Sequence, residues 1–127
     1  MASPEATILL VDDDDDLRDS IGDFLAIRKL GRCLGVGSLA EATSQADRIQ
    51  RCSLAILDIN LGPGPSGVDV YHWLIETGFR GQIVFLTGYG ADDQRVQEAH
   101  RIGLQILTKP INTDRLCALA AGHAKTE

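Results

Sequence analysis

The chain reads as an α/β protein, a doubly wound five-stranded parallel sheet with five helices, arranged as a three-layer αβα sandwich. Three observations predict it. Short runs of β-branched and aliphatic residues recur five times, continuous rather than alternating, as strands buried on both faces require. Between them lie segments whose apolar residues repeat at helical spacing. The two kinds of segment alternate throughout, and a βα succession of this kind builds a parallel sheet with helices on both faces.

The first strand spans 6–11, ending in Ile8-Leu9-Leu10-Val11, and stops abruptly at Asp12. A helix over 15–30 follows, with Leu17, Ile21, Phe24 and Leu25 on one face and Gly31 as its stop. Cys33-Leu34-Gly35-Val36 is a weaker second strand, after which Ser38 can cap a helix facing inward through Leu39, Ala42, Ala46 and Ile49. Residues 53–57 form a third buried strand closed by Asp58, and 60–67 are a Gly/Pro-rich loop. The third helix presents Val68, Tyr71, Leu74 and Ile75 before Gly78. Gln82 to Leu86 repeats the strand pattern. Asp92 and Asp93 then favour the positive end of a helix that reaches Ile102 and stops at Gly103. A last strand over 104–107 leads through the turn Thr108-Lys109-Pro110 to a helix capped by Asn112, with Leu116, Leu119 and Ala120 inward.

At 127 residues the chain has the length of one domain, 1–127 with a core about 6–122, and no linker or output domain is read in it. The net charge is −6, but Asp12 to Asp16 form one unbroken run, and the rest of the chain carries 13 acids against 12 scattered bases. Acidity is therefore local, and no basic patch suited to nucleic acid is present. Ile8 to Val11 is far too short an apolar run for a secretory signal or a membrane span, so a cytoplasmic protein is expected. Cys33, Cys52 and Cys117 are odd in number and lack CxxC spacing, which argues for buried thiols rather than disulfides or zinc.

In a doubly wound sheet the functional crevice lies beyond the carboxyl ends of the strands. Those ends carry Asp12 and Asp13, Asp58, Thr87 and Lys109. Two carboxylates about 4 Å apart repel by roughly 4 kcal/mol at an effective dielectric of 20, so three converging there call for a cation. All-oxygen ligands without His or Cys favour Mg²⁺, with Mn²⁺ able to substitute, and a site with few protein ligands leaves room for an oxyanion. Phosphate fits best. The Thr87 hydroxyl can donate to one phosphoryl oxygen while Lys109 neutralises another as a point charge.

Ile8-Leu9-Leu10-Val11-Asp12-Asp13-Asp14, Leu57-Asp58-Ile59-Asn60-Leu61, Leu86-Thr87-Gly88-Tyr89-Gly90 and Leu107-Thr108-Lys109-Pro110 together resemble the signatures of response-regulator receiver domains, in their order and spacing. The resemblance implies a flavodoxin-like fold and a part in two-component or phosphorelay signalling. It implies that Asp58 accepts a phosphoryl group from a phosphohistidine on a histidine kinase or histidine phosphotransfer protein. Asp13, the Asp58 carboxylate and the Asn60 backbone carbonyl would hold Mg²⁺, with Asp12 acting through water. Thr87 and Lys109 would contact the phosphoryl group, and the Lys109-Pro110 bond would be cis. By the same resemblance, the fourth helix, last strand and last helix would face a downstream effector; from the composition, no direct binding of nucleic acid or membrane is expected.

The chain also departs from the family pattern. The loop after Asp58 is richer in Gly and Pro and one residue longer than the common form, and Gly88 implies a mobile loop. Ile106 stands where an aromatic residue is usual, so the coupled Thr–aromatic switch is in question. Tyr89 is expected to cover the site partly and slow hydrolysis. His72, His100 and His123 read as surface or capping residues, Trp73 as a packing residue, and Asp14 to Asp16 as helix-starting acids. An alternative is an Asp-nucleophile phosphatase, but Asp16 stands where that motif wants Thr or Val, and no cap insertion fits. A degenerate receiver serving as a constitutive interaction module conflicts with the full set of site residues. An EF-hand fails because Leu17 replaces the loop Gly and Asp23 the bidentate Glu. The expected role is thus a signalling phosphoacceptor rather than an enzyme.

Overall fold

The computed structural model describes residues 7–88 and 93–122. Expectations placed on Ala6, Tyr89, Asp92 and His123 lie outside the described residues. The elements run β1 (Ile8–Val11), α1 (Asp15–Ile27), β2 (Cys33–Val36), α2 (Leu39–Ser44), α3 (Ala46–Ile49), β3 (Leu54–Asp58), α4 (Gly67–Glu76), β4 (Gln82–Thr87), α5 (Gln94–Ile102), β5 (Ile106–Thr108) and α6 (Thr113–Gly122). All strand pairs are parallel and the sheet order is β2-β1-β3-β4-β5. The order reverses between β1 and β3, and a crevice opens at such a switch point.

Alternate side chains of each strand feed two separate cores. Ile8, Leu10, Ile56, Val84 and Leu86 pack with Ile21 and Leu25 of α1 and Leu116 and Leu119 of α6. Leu9, Val11, Ala55, Leu57 and Phe85 pack on the other face, against α2 to α5. Ile8 to Val11 and Leu54 to Leu57 are each 0% exposed, which explains why these strands carry no alternation of polar residues.

Three local features differ from expectation. The second helix is broken at Gln45 (φ −115°, ψ 23°), giving six helices among the described residues where five were expected. The hydroxyls of Thr43 and Ser44 donate back to the carbonyls of Ala40 and Glu41, bonds that compete with the helical pattern and favour a break there. In α4, Ile75 is 51% exposed, while Val70 takes an inward place with Gly67, Val68 and Leu74. That helix starts one residue earlier than expected, because Ser66 and Asp69 form a capping box. β5 begins only at Ile106, since Gly103 ends α5 in the left-handed region (φ 93°) and Leu104 and Gln105 span the gap.

The caps at Ser38 and Asn112 form as expected, Asp93 stands at the start of α5 and caps it, and Asp14 caps α1 by accepting from the amides of Asp16 and Leu17. Trp73 packs against the core, and His72 and His100 are exposed. The three cysteines are thiols outside any disulfide, and Cys52 is buried while Cys33 and Cys117 are half-buried. Burial pushes the thiols of Cys33 and Cys52 up to about 11, so both stay protonated at neutral pH.

Candidate functional site

Sheet register builds the site. Val11 lies opposite Leu57, so the residues that follow them, Asp12 and Asp58, emerge side by side from β1 and β3. Asp58 is still within β3, paired with Leu86, rather than the first residue after it. Thr87 ends β4, and its carbonyl accepts from the backbone N–H of Lys109 at 2.8 Å, which sets these two residues beside the carboxylates. Lys109 precedes Pro110 across a cis peptide bond, as the resemblance implied.

Asp12 is 0% exposed, and Asp58 and Thr87 are 2% exposed. Lys109 Nζ lies 3.0 Å from Asp12 Oδ2 and 3.0 Å from Asp58 Oδ2, bridging the two buried acids. Asp12 Oδ1 accepts from the Asp14 N–H at 2.9 Å, and Asp58 Oδ1 from the Asn60 N–H at 3.2 Å. Among the described residues, the buried Asp12 Oδ2 is short of a hydrogen-bond partner and is compensated by the charge of the nearby ammonium.

Burial pushes the Asp58 carboxyl up to about 6. The Lys109 hydrogen bond opposes that shift, and the charge of Asp12 adds to it. At neutral pH Asp58 is therefore mostly ionised and able to act as a nucleophile. Burial works against the Lys109 ammonium, but Asp12 and Asp58 outweigh it and hold its pKa above the ordinary value.

Asp13 is exposed, yet its carboxylate belongs to the same cluster. Ligand atoms of Asp12, Asp13 and Asp58 lie within 4.8 Å of one another. Three oxygen donors at this spacing, one of them the under-partnered Asp12 Oδ2, fit a hard divalent cation. All the predicted residues, Asp12, Asp13, Asp58, Asn60, Thr87 and Lys109, thus gather at one end of the sheet. Gly67 makes the close approach possible. A Cβ there would stand 2.1 Å from the Asp58 carbonyl oxygen, so only glycine lets α4 begin against the backbone of β3.

Two arginines were not foreseen. Arg18 of α1 donates to the Asp12 carbonyl at 2.6 Å and pairs with Asp15, holding the turn after β1. Its i, i+3 relation to Asp15 was the available sequence signal. Arg95 reaches from α5 to Asn60 Oδ1 at 3.1 Å, a contact across 35 residues that no local pattern announces.

A family model described as the response regulator receiver domain matches residues 8–121. The chain is 32% identical over 112 residues to the transcriptional regulatory protein DpiA of Escherichia coli K12, covering 87% of this chain and 48% of that protein. It is 32% identical over 120 residues to the response regulator protein FleR of Pseudomonas aeruginosa, covering 94% of this chain and 24% of that one. The chain therefore spans half or less of the length of these relatives. Among solved structures, the receiver domain of NtrX from Brucella abortus superposes with a TM-score of 0.77 at 25% identity, covering 94% of this chain and 99% of that one. Among the described residues, no helix is long and apolar enough to cross a membrane.

Proposed function

The chain belongs to the response-regulator receiver domains of two-component signalling, and on that premise we propose that Asp58 is its phosphoacceptor. The observation that carries this reading is the convergence of two buried carboxylates on one ammonium, with Lys109 Nζ 3.0 Å from each. A structural ion pair needs one acid. The second is an expensive charge in a buried place, and the exposed Asp13 adds a third to the cluster.

A phosphohistidine on a histidine kinase or histidine phosphotransfer protein is the donor. A carboxylate oxygen of Asp58 attacks phosphorus, the phosphorus–nitrogen bond breaks, and the electron pair leaves with the imidazole, which takes up a proton. Asp13, Asp58 and the Asn60 carbonyl would hold Mg²⁺, with Asp12 acting through water. The metal, when bound, supplies charge neutralisation of the phosphoryl oxygens. Thr87 donates its hydroxyl to one of those oxygens and Lys109 neutralises another. Such transfer asks for alignment and charge balance more than for covalent work, and this constellation provides both. The site assists its own loading and unloading rather than turning over a substrate, so the protein is a signalling element in the cytoplasm. Its downstream effector meets α5, β5 and α6.

The test is incubation with Mg²⁺ and acetyl phosphate, followed by intact mass. The expected product is one phosphoryl adduct, labile to hydroxylamine and absent in Asp58→Asn or when EDTA replaces Mg²⁺. Rapid phosphate release with no adduct would indicate a phosphatase. No adduct and no release would leave an interaction module.

A further inference from the structure

The loop that follows Asp58 is rich in glycine, with Gly62 at φ +85° before Pro63 and Gly64 at φ +99° between Pro63 and Pro65. Asn60 opens this loop and touches Asp58 directly, its N–H donating to Asp58 Oδ1 at 3.2 Å. The Asn60 side chain is held in turn. Its Oδ1 accepts from the Gly62 N–H at 3.1 Å and from Arg95 Nη1 at 3.1 Å.

Arg95 is itself fixed from behind by the cap of its own helix. Asp93 Oδ1 accepts from the Arg95 N–H at 2.8 Å and from Nε at 3.4 Å, and Asp93 Oδ2 accepts from Nη2 at 3.3 Å. A continuous line of hydrogen bonds thus runs from the N-terminal turn of α5 through Arg95 and Asn60 to the Asp58 carboxylate. The Arg95 side chain is 38% exposed and that of Asp93 23%, so their ion pair adds little stability. Its evident effect is geometric: a guanidinium aimed at one amide oxygen, restricting a loop that would otherwise sample many conformations.

We infer that Arg95 is a positioning residue for phosphoryl acceptance, fixing Asn60 so that the Asn60 N–H holds the Asp58 carboxylate in its reactive orientation. The inference rests on Asp58 being the acceptor, as proposed above. It also gives the chain a polar link from the acceptor to α5.

The experiment follows adduct formation from acetyl phosphate and Mg²⁺ over time by intact mass. In that reaction the Asp58 oxygen forms a bond to phosphorus, the bond from phosphorus to the acetyl oxygen breaks, and acetate leaves with the electron pair. Wild type, Arg95→Ala, Arg95→Lys, Asn60→Ala and the Arg95→Ala/Asn60→Ala double variant are compared. Losing part of one charge-assisted hydrogen bond should slow formation in Arg95→Ala by roughly threefold to tenfold. Arg95→Lys keeps the charge without the fork and should be slowed as well. In the Asn60→Ala background, Arg95→Ala should cause no further slowing. A role confined to capping α5 would lower the melting temperature and leave the rate unchanged. An Arg95→Ala rate within about twofold of wild type, or slowing that persists undiminished without Asn60, overturns the inference alone. No adduct in wild type overturns the acceptor assignment and this inference together.

Discussion

Asp12 and Asp15 sit three residues apart in one run of five identical side chains, and they live in different physical worlds. Asp12 is 0% exposed and compensated by Lys109 at 3.0 Å. Asp15 has an 81% exposed side chain and pairs with Arg18 at the surface of α1. The boundary falls where β1 ends. Up to Asp12 the chain runs inside the sheet and places side chains at the switch point, whereas from Asp14 onward it starts a helix, and acids serve the amides and the positive end of that helix. The chemistry of a carboxylate here is set by the element that carries it, and composition alone does not separate the two halves.

The largest test of this contrast removes the cation from the buried half. Lys109→Ala strands two buried carboxylates, and urea unfolding in EDTA should show a loss of about 3–5 kcal/mol, partly restored by Mg²⁺. A loss below about 1 kcal/mol, the range of a surface pair, would mean that Lys109 does not hold the buried half together.

Protonation gives a second and smaller measure. The folded Asp58 carboxyl sits at about 6, above its ordinary 3.8, so between those values the native state binds more protons than the unfolded chain and stability falls as pH rises. Asp58→Asn removes that dependence. The variant's stability advantage over wild type should widen from about pH 4 to about pH 7, measured in EDTA. A gap that stays constant across that window would contradict the assignment of burial as the dominant influence on Asp58.

The smallest effects belong to the exposed half. Asp14→Ala deletes the cap of α1 and should cost about 1 kcal/mol. Asp15→Asn should change stability by less than about 0.5 kcal/mol. Neither should alter adduct formation at Asp58, and a variant of Asp15 that blocked loading would contradict the separation of the buried from the exposed acids.

The strands were legible because burial on both faces leaves an unbroken apolar run, and each functional strand end shows as a polar residue breaking that run: Asp12 after Val11, Asp58 after Leu57, Thr87 after Leu86. The caps at Ser38 and Asn112, and the acid Asp93 at the head of α5, were legible because their chemistry is local. The break at Gln45 was not, since it depends on hydroxyls competing for backbone carbonyls rather than on Gly or Pro. The outward turn of Ile75 was not legible, because Leu74 and Ile75 are adjacent apolar residues and packing admits only Leu74, with Val70, to the core. The contact between Arg95 and Asn60 is tertiary. Nothing within one turn of either residue signals that a loop after β3 and the first turn of α5 meet.

Gly67 gives the loop after Asp58 an uneven freedom. The stretch from Gly62 to Pro65 lies mostly in solvent, where an added residue can be absorbed. The return point cannot move, because a single methyl group there would collide with the Asp58 carbonyl. The loop therefore behaves as a strap of adjustable length between two fixed posts. Length variation is expected within it, while any drift of its far anchor would be registered directly at Asp58.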